Sequence, residues 1–375
     1  MKRGLLPASL VLILLGTASL PAQTAVDATG PVTSLDGDEH LVLSTTAARP
    51  APGGGWLVPV EAWVHEPEDS VVRAAAIEQT LDLAFDIELD DDSRPRFEQR
   101  LAPFLADNER GERVVVRVFG DVAGRHIELP RTEADGRTRT EILVAAELAS
   151  TLARDGELRF VAVLPGDDER LITGRALLQG LEGVTVISDI DDTVKLTGVG
   201  DITRVLRRTF VEDFEAVPGM AALYRSWAER GAALHFVSSS PQPMADALEV
   251  FLDEAGFPTS TLHLAPFRVK DPSVLDLISK GPAGKTVRIG RILDGWPERR
   301  FVLVGDTGER DPEIYAALLA EHPERIAAVA LRNVTGATRE DDRFGPLFEN
   351  LPANRWMLFR NVDEIRLPTD TWGRR

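Results

Sequence analysis

The run Val184-Thr185-Val186-Ile187-Ser188-Asp189-Ile190-Asp191-Asp192-Thr193 constrains this chain more than any other segment. Four β-favouring residues ahead of Ser188 and Asp189 suit a central parallel strand. Open α/β sheets hold ligands just past the carboxyl ends of such strands, so Asp189 and Asp191 are predicted to line a site. An acidic turn facing water is the plain alternative for an Asp-x-Asp taken alone. Three later segments argue against it.

Leu234-His235-Phe236-Val237-Ser238-Ser239-Ser240-Pro241 is a second apolar strand, ending in hydroxyls ahead of a helix. Ser238, with nearby backbone N–H groups, suits a phosphoryl oxygen, although serines there also serve as helix caps. Gly281-Pro282-Ala283-Gly284-Lys285-Thr286 places one lysine before a predicted helix, where Lys285 can act as a point charge on phosphate. Phe301-Val302-Leu303-Val304-Gly305-Asp306-Thr307-Gly308-Glu309-Arg310-Asp311 again releases acids from an apolar strand into a glycine-bearing loop. Asp306 and Asp311 can complete an oxygen-rich site for a hard divalent cation, with Mg²⁺ expected. Cysteine is absent and the six histidines show no paired ligand spacing, which argues against zinc. His235, inside an apolar strand, reads as a core residue.

In this order, at these strand ends, the four segments resemble the haloacid dehalogenase (HAD) superfamily. More narrowly, four strings are similar to the phosphatidate phosphatase family named for an actin-patch protein. They are Ser188 to Lys195, Pro218-Gly219-Met220 with Leu223-Tyr224-Arg225, Val237 to Pro241, and Gly305 to Tyr315. The resemblance spans roughly residues 180 to 365, with a weaker echo at Trp56 to Pro67, and Thr307 stands where the family favours serine. It implies a Rossmann-like HAD catalytic domain that hydrolyses phosphatidate through an aspartyl-phosphate. The implied catalytic residues are Asp189 as nucleophile, Asp191 as acid and base, and Ser238 and Lys285 on the phosphoryl oxygens. The implied metal ligands are Asp189, Asp191 through its main-chain carbonyl, Asp306 and Asp311. Few residues remain between these motifs for a lid, which points to a bulky substrate such as a lipid head group, and Phe267 to Pro282 could form an apolar, basic rim for it.

The rest of the chain sets the context. A formal charge of −18 repels nucleic acid at long range, so none is expected as a partner, while transient contact with a membrane surface stays open. Met1-Lys2-Arg3 followed by the apolar run from Leu5 to Gly16 has the form of a secretory signal, and the expectation is export to the periplasm or beyond. The predicted organisation is a signal over 1–25, a flexible segment over 26–52 with Gly53-Gly54-Gly55 as a joint, a small β-rich, sandwich-like domain over 53–180, and the α/β catalytic domain over 181–370. A helix is expected over Ser70 to Ile87 inside the β-rich domain. Two other readings remain: an exported phosphatase for a different bulky phosphomonoester, and a catalytically idle envelope-binding protein.

Overall fold

The computed structural model describes residues 11–14, 30–67, 71–267 and 282–373. The chain divides into two compact units, one of residues 1–68 and 106–180, the other of residues 69–105 and 181–375. Most of the signal-like leader lies outside the described residues; Val11–Leu14 is a strand lying parallel to Arg137–Val144. Among the described residues no helix is long and apolar enough to cross a membrane.

The first unit is β-rich. Its strands join into one ten-stranded sheet, with Thr46–Pro50 pairing to Trp56–Glu66 on one side and to Thr173–Leu178 on the other. Val58 and Ile142 from one half share a buried apolar cluster with Val116, Leu158 and Ala176 from the other. Residues 40–50, expected within a flexible segment, form two strands, His40–Leu43 and Thr46–Pro50. The reason is burial: Leu41, Leu43 and Ala48 enter the core, and the Thr46 hydroxyl donates to the Pro59 carbonyl at 2.7 Å. Gly53, Gly54 and Gly55, expected as a loose joint, close a tight turn with φ of 91°, 102° and 84° and a 3.0 Å bond from Ala51 N to Gly55 O. A side chain is strained at those angles.

The second unit holds α1 (Val71–Phe85), α2 (Arg94–Leu105) and a six-stranded parallel sheet. Its strands are β1 (Val184–Ser188), β2 (Ala233–Pro241), β3 (Thr261–Ala265), β4 (Arg300–Asp306), β5 (Ile326–Arg332) and β6 (Trp356–Phe359). Interleaved are α3 (Met220–Ala228), α4 (Ala245–Glu254), α5 (Pro282–Gly295) and α6 (Asp311–Glu321). The sheet order is β3-β2-β1-β4-β5-β6, so the chain winds outward in both directions from β1 and β4. The crevice at such a reversal is where parallel sheets bind ligands, and the carboxyl ends of β1 and β4 lie beside it.

The helix expected over Ser70 to Ile87 forms, but it packs with the second unit rather than the β-rich one. Ile77 and Leu81 of α1, with Phe97, Leu101 and Phe104 of the unexpected α2, join the core cluster of β1, β2 and β4. Arg96 and Arg100 then tie α2 to the turn Arg207–Val211 by donating to the Val211 and Thr209 carbonyls at 2.6 and 2.9 Å. Local periodicity marks an amphipathic helix but carries no label for the sheet it will cover.

Candidate active site

Asp189 directly follows β1, and its backbone N–H continues the ladder by donating to the Val304 carbonyl of β4 at 2.8 Å. Its side chain is therefore fixed at the sheet's carboxyl edge. Below it, the Tyr224 hydroxyl donates to Ser188 Oγ at 2.8 Å, and Ser188 Oγ donates to the Asp189 carbonyl at 2.7 Å. The strand end is held by buried polar bonds as well as by apolar packing.

Four of the sequence-predicted residues come together here. Lys285 Nζ donates to Asp189 Oδ1 at 2.7 Å and to Asp311 Oδ1 at 2.5 Å. Carboxylate oxygens of Asp189, Asp306 and Asp311 lie within 4.8 Å of one another, all three residues buried. Lys285 lies in the first turn of α5 rather than ahead of the helix, a place where the helix dipole disfavours a cation. The two carboxylates explain its position. Asp311 opens α6, where the dipole favours an acid. Gly305 lets that loop close, because a Cβ there would lie 2.2 Å from Asp311 Oδ2.

One ammonium against three carboxylates leaves this pocket with uncompensated negative charge. Burial pushes Asp189 well above the usual carboxylate range, with Lys285 pulling the other way. Asp306 is raised to about 8, by burial first and then by Asp311 and Glu309, and Asp311 is raised for the same leading reason. Burial alone would lower Lys285, but Asp189 and Asp311 hold it well above its ordinary value, so it stays charged. Asp306 Oδ1 accepts from the Gly308 and Glu309 N–H groups, at 2.5 and 3.1 Å, while Asp306 Oδ2 is buried without a partner. An all-oxygen donor set, excess negative charge and an orphaned carboxylate oxygen fit a hard divalent cation.

Asp191 and Ser238 form a second, adjoining cluster. Asp191 Oδ2 accepts from Ser240 Oγ at 2.8 Å and from Ser238 Oγ at 3.3 Å. Asp191 Oδ1 accepts from Thr197 Oγ1 at 2.7 Å and pairs with Lys195 Nζ at 3.0 Å. The Asp191 carboxylate is thus not among the three that gather as possible side-chain ligands. Asp192 turns the chain with φ of 51°, and its carboxylate collects the N–H groups of Thr197, Gly198 and Val199. Arg332 at the end of β5 donates to the Asp192 carbonyl at 2.8 Å.

Sequence reasoning gave no role to Lys195, Thr197, Ser240, Asp192 or Arg332. Two of these had a legible signal: Lys195 stands four residues after Asp191, and Ser240 shares a strand face with Ser238 once β2 is extended to Pro241. The suggested rim of Phe267 to Pro282 falls almost wholly outside the described residues. Phe267 itself packs edge-on against Phe104, with centroids 5.1 Å apart. His235 is a core residue as expected, buried beside Thr261 Oγ1 at 2.7 Å and His263 Nε2 at 3.2 Å.

Residues 184–333 match the family described as "Phosphatidate phosphatase APP1, catalytic domain". The chain is 32% identical over 156 residues to an uncharacterised protein of Schizosaccharomyces pombe, and 31% identical over 155 residues to the phosphatidate phosphatase APP1 of Saccharomyces cerevisiae. Each match covers 40% of this chain and only 25% or 26% of the relative, so the chain spans about a quarter of the length of either protein. The matched stretch holds β1, β2, β4 and β5 with every residue of both clusters. In sequence, the segment 184–333 is similar to the APP1 phosphatidate phosphatase catalytic domain.

Proposed function

We propose that the chain is a Mg²⁺-dependent phosphatase with a HAD-type catalytic domain, that it hydrolyses phosphatidate to diacylglycerol, and that Asp189 carries the phosphoryl group between two displacements. The observation behind this reading is the buried meeting of Asp189, Lys285, Asp306 and Asp311 at the sheet's reversal point. A Mg²⁺ ion held by Asp189, Asp306 and Asp311, with the Asp191 carbonyl, would neutralise charge on the transferred oxygens.

The chain's own residues divide the work. A carboxylate oxygen of Asp189 forms a bond to phosphorus while the ester P–O bond breaks, its electron pair leaving on the alcohol oxygen. Asp191 gives that oxygen a proton. In the second displacement a water attacks phosphorus, its proton passes to Asp191, and Asp189 departs as a carboxylate. Ser238 and Lys285 bind the phosphoryl oxygens and offset the charge that builds on them. An alcohol leaving group needs the acid at Asp191, which favours phosphate ester chemistry over dehalogenation.

Between Asp191 and Ser238 the chain forms the short helical segments Ile202–Leu206 and Arg207–Val211, then α3 and the start of β2. No large lid stands there, which supports a bulky substrate. The signal-like leader belongs to the same proposal: the protein acts after export. An exported phosphatase for another bulky phosphomonoester is the second reading, favoured by that leader. The deciding experiment is phosphate release from a panel of phosphatidate and soluble phosphomonoesters, with Mg²⁺ or EDTA and with Asp189→Asn as control. Release that survives EDTA, or that survives the substitution, would overturn the mechanism; release only from soluble esters would leave the mechanism and replace the substrate.

A further inference from the structure

Lys195 is a lysine with almost no contact with water. It is 2% exposed, sits 3.0 Å from Asp191 Oδ1 and donates to Thr197 Oγ1 at 2.6 Å, with its ammonium 5.0 Å from the centre of the Phe214 ring. Desolvating an ammonium costs several kcal/mol unless partners repay it, and for stability alone an apolar side chain of the same size would serve as well. The arrangement calls for another reason. Thr197 Oγ1 in turn donates to Asp191 Oδ1, so Lys195, Thr197 and Oδ1 close a triangle of polar contacts. The other oxygen, Oδ2, accepts from Ser240 and Ser238.

We propose that Lys195, acting with Thr197, is a positioning residue for the acid: the pair clamps Asp191 by Oδ1 and presents Oδ2, on the side of Ser238 and Ser240, as the oxygen that hands over the proton. The inference rests on the phosphatase reading and adds to it which oxygen transfers the proton and what holds the other one still. As the Asp189 oxygen bonds to phosphorus the ester P–O bond breaks, and its electron pair and the Oδ2 proton both end on the leaving alcohol. The Lys195 ammonium, 3.0 Å from Asp191 Oδ1, faces the carboxylate that remains. Asp192 supports the device from the backbone, since its carboxylate binds the N–H of Thr197 itself at 2.8 Å.

The test uses leaving groups. A p-nitrophenolate departs without help, whereas an alkoxide needs a proton, so loss of acid positioning shows on alkyl phosphates and much less on aryl phosphates. General acid catalysis is typically worth about 10²- to 10⁴-fold. Lys195→Met and Thr197→Val in the full chain should therefore lower kcat for an alkyl phosphate at least about tenfold more than kcat for p-nitrophenyl phosphate, and Lys195→Arg should recover part of the difference. Equal losses on both substrates, or no loss, would assign Lys195 a structural role only and overturn the proposal. Thr197→Val removes one hydroxyl at nearly constant volume, so it carries the test if Lys195→Met does not fold. A wild-type chain that releases phosphate from neither substrate with Mg²⁺ would bring down the phosphatase reading first, a result separate from unequal or equal losses in the variants.

Discussion

The two units spend their buried positions differently. In the β-rich unit the core cluster around Val58, Val116, Ile142, Leu158 and Phe160 is built of apolar side chains, and the buried acids Asp121 and Glu157 are each paired with an arginine, Arg125 and Arg159. At the carboxyl edge of the parallel sheet, by contrast, Asp189, Asp191, Lys195, Lys285, Asp306 and Asp311 are all buried within one stretch of loops and strand ends. Dehydrated charge weakens a fold unless each group is paired, and here the pairing is incomplete at Asp306 Oδ2. One region is arranged for stability, and the other gives some of it up to gather buried charge.

The largest test of that contrast is Asp189→Asn. The amide keeps the shape of the carboxylate but cannot attack phosphorus, so phosphate release should fall by about 10⁴-fold or more. Circular dichroism should meanwhile show an intact fold, because the amide oxygen can still accept from Lys285, which keeps Asp311 as its ionic partner. A variant that retained a tenth of the activity would place the nucleophile elsewhere.

Next comes the apolar unit. Phe160 is buried at 3% exposure, and Phe160→Ala should destabilise that unit by about 3–5 kcal/mol, read as an earlier urea midpoint. A loss below about 1 kcal/mol would mean that the cluster is not packed as a core.

Asp306→Asn should go the other way. Burial and its acidic neighbours raise the folded Asp306 to about 8, above its unfolded value. Between those values the native state binds the extra proton, so metal-free stability falls as pH rises from about 4 to about 8. The asparagine variant avoids that loss. At pH 8 without metal it should melt higher than the parent by about 1–3 kcal/mol of stability, since a single buried charge is removed. With Mg²⁺ the order should reverse, because the parent alone gains stability from a ligand that binds the native state. Identical melting curves for the two proteins, with and without Mg²⁺, would refute the cation site.

The second unit was more legible than the first because its signals are local. An apolar strand that ends in Asp or Ser marks both its element and a place at the sheet's edge, so β1, β2 and β4 and the positions of Asp189, Asp191, Ser238, Asp306 and Asp311 are legible in short strings. What escaped depended on distant partners. The strand β6, with the pattern Trp356–Phe359, is recognisable only once β5 is there to pair with it. The segment 40–50 looked polar because every second residue faces outward, while Leu41, Leu43 and Ala48 pack inward. The membership of α1 and α2 was invisible for the same reason. Lys195 is plain in the sequence, but a lysine gains meaning only where the fold buries it.

The smallest effect sharpens the comparison by matching like with like. Arg49 and Glu141 in the β-rich unit form a two-pronged ion pair, with Arg49 Nη2 donating to Glu141 Oε2 at 3.2 Å, but their side chains remain 31% and 26% exposed. Water competes for both groups, so a double-mutant cycle with Arg49→Met and Glu141→Gln should give a coupling of only about 0.2–1 kcal/mol, shrinking further with added salt. The same cycle on Lys285 and Asp189, 2% and 1% exposed, should give several times more and respond little to salt, because a dry pocket does not screen. If the two couplings came out equal, burial would not be what separates the working charges from the decorative ones, and the contrast between the units would have to rest on the metal alone.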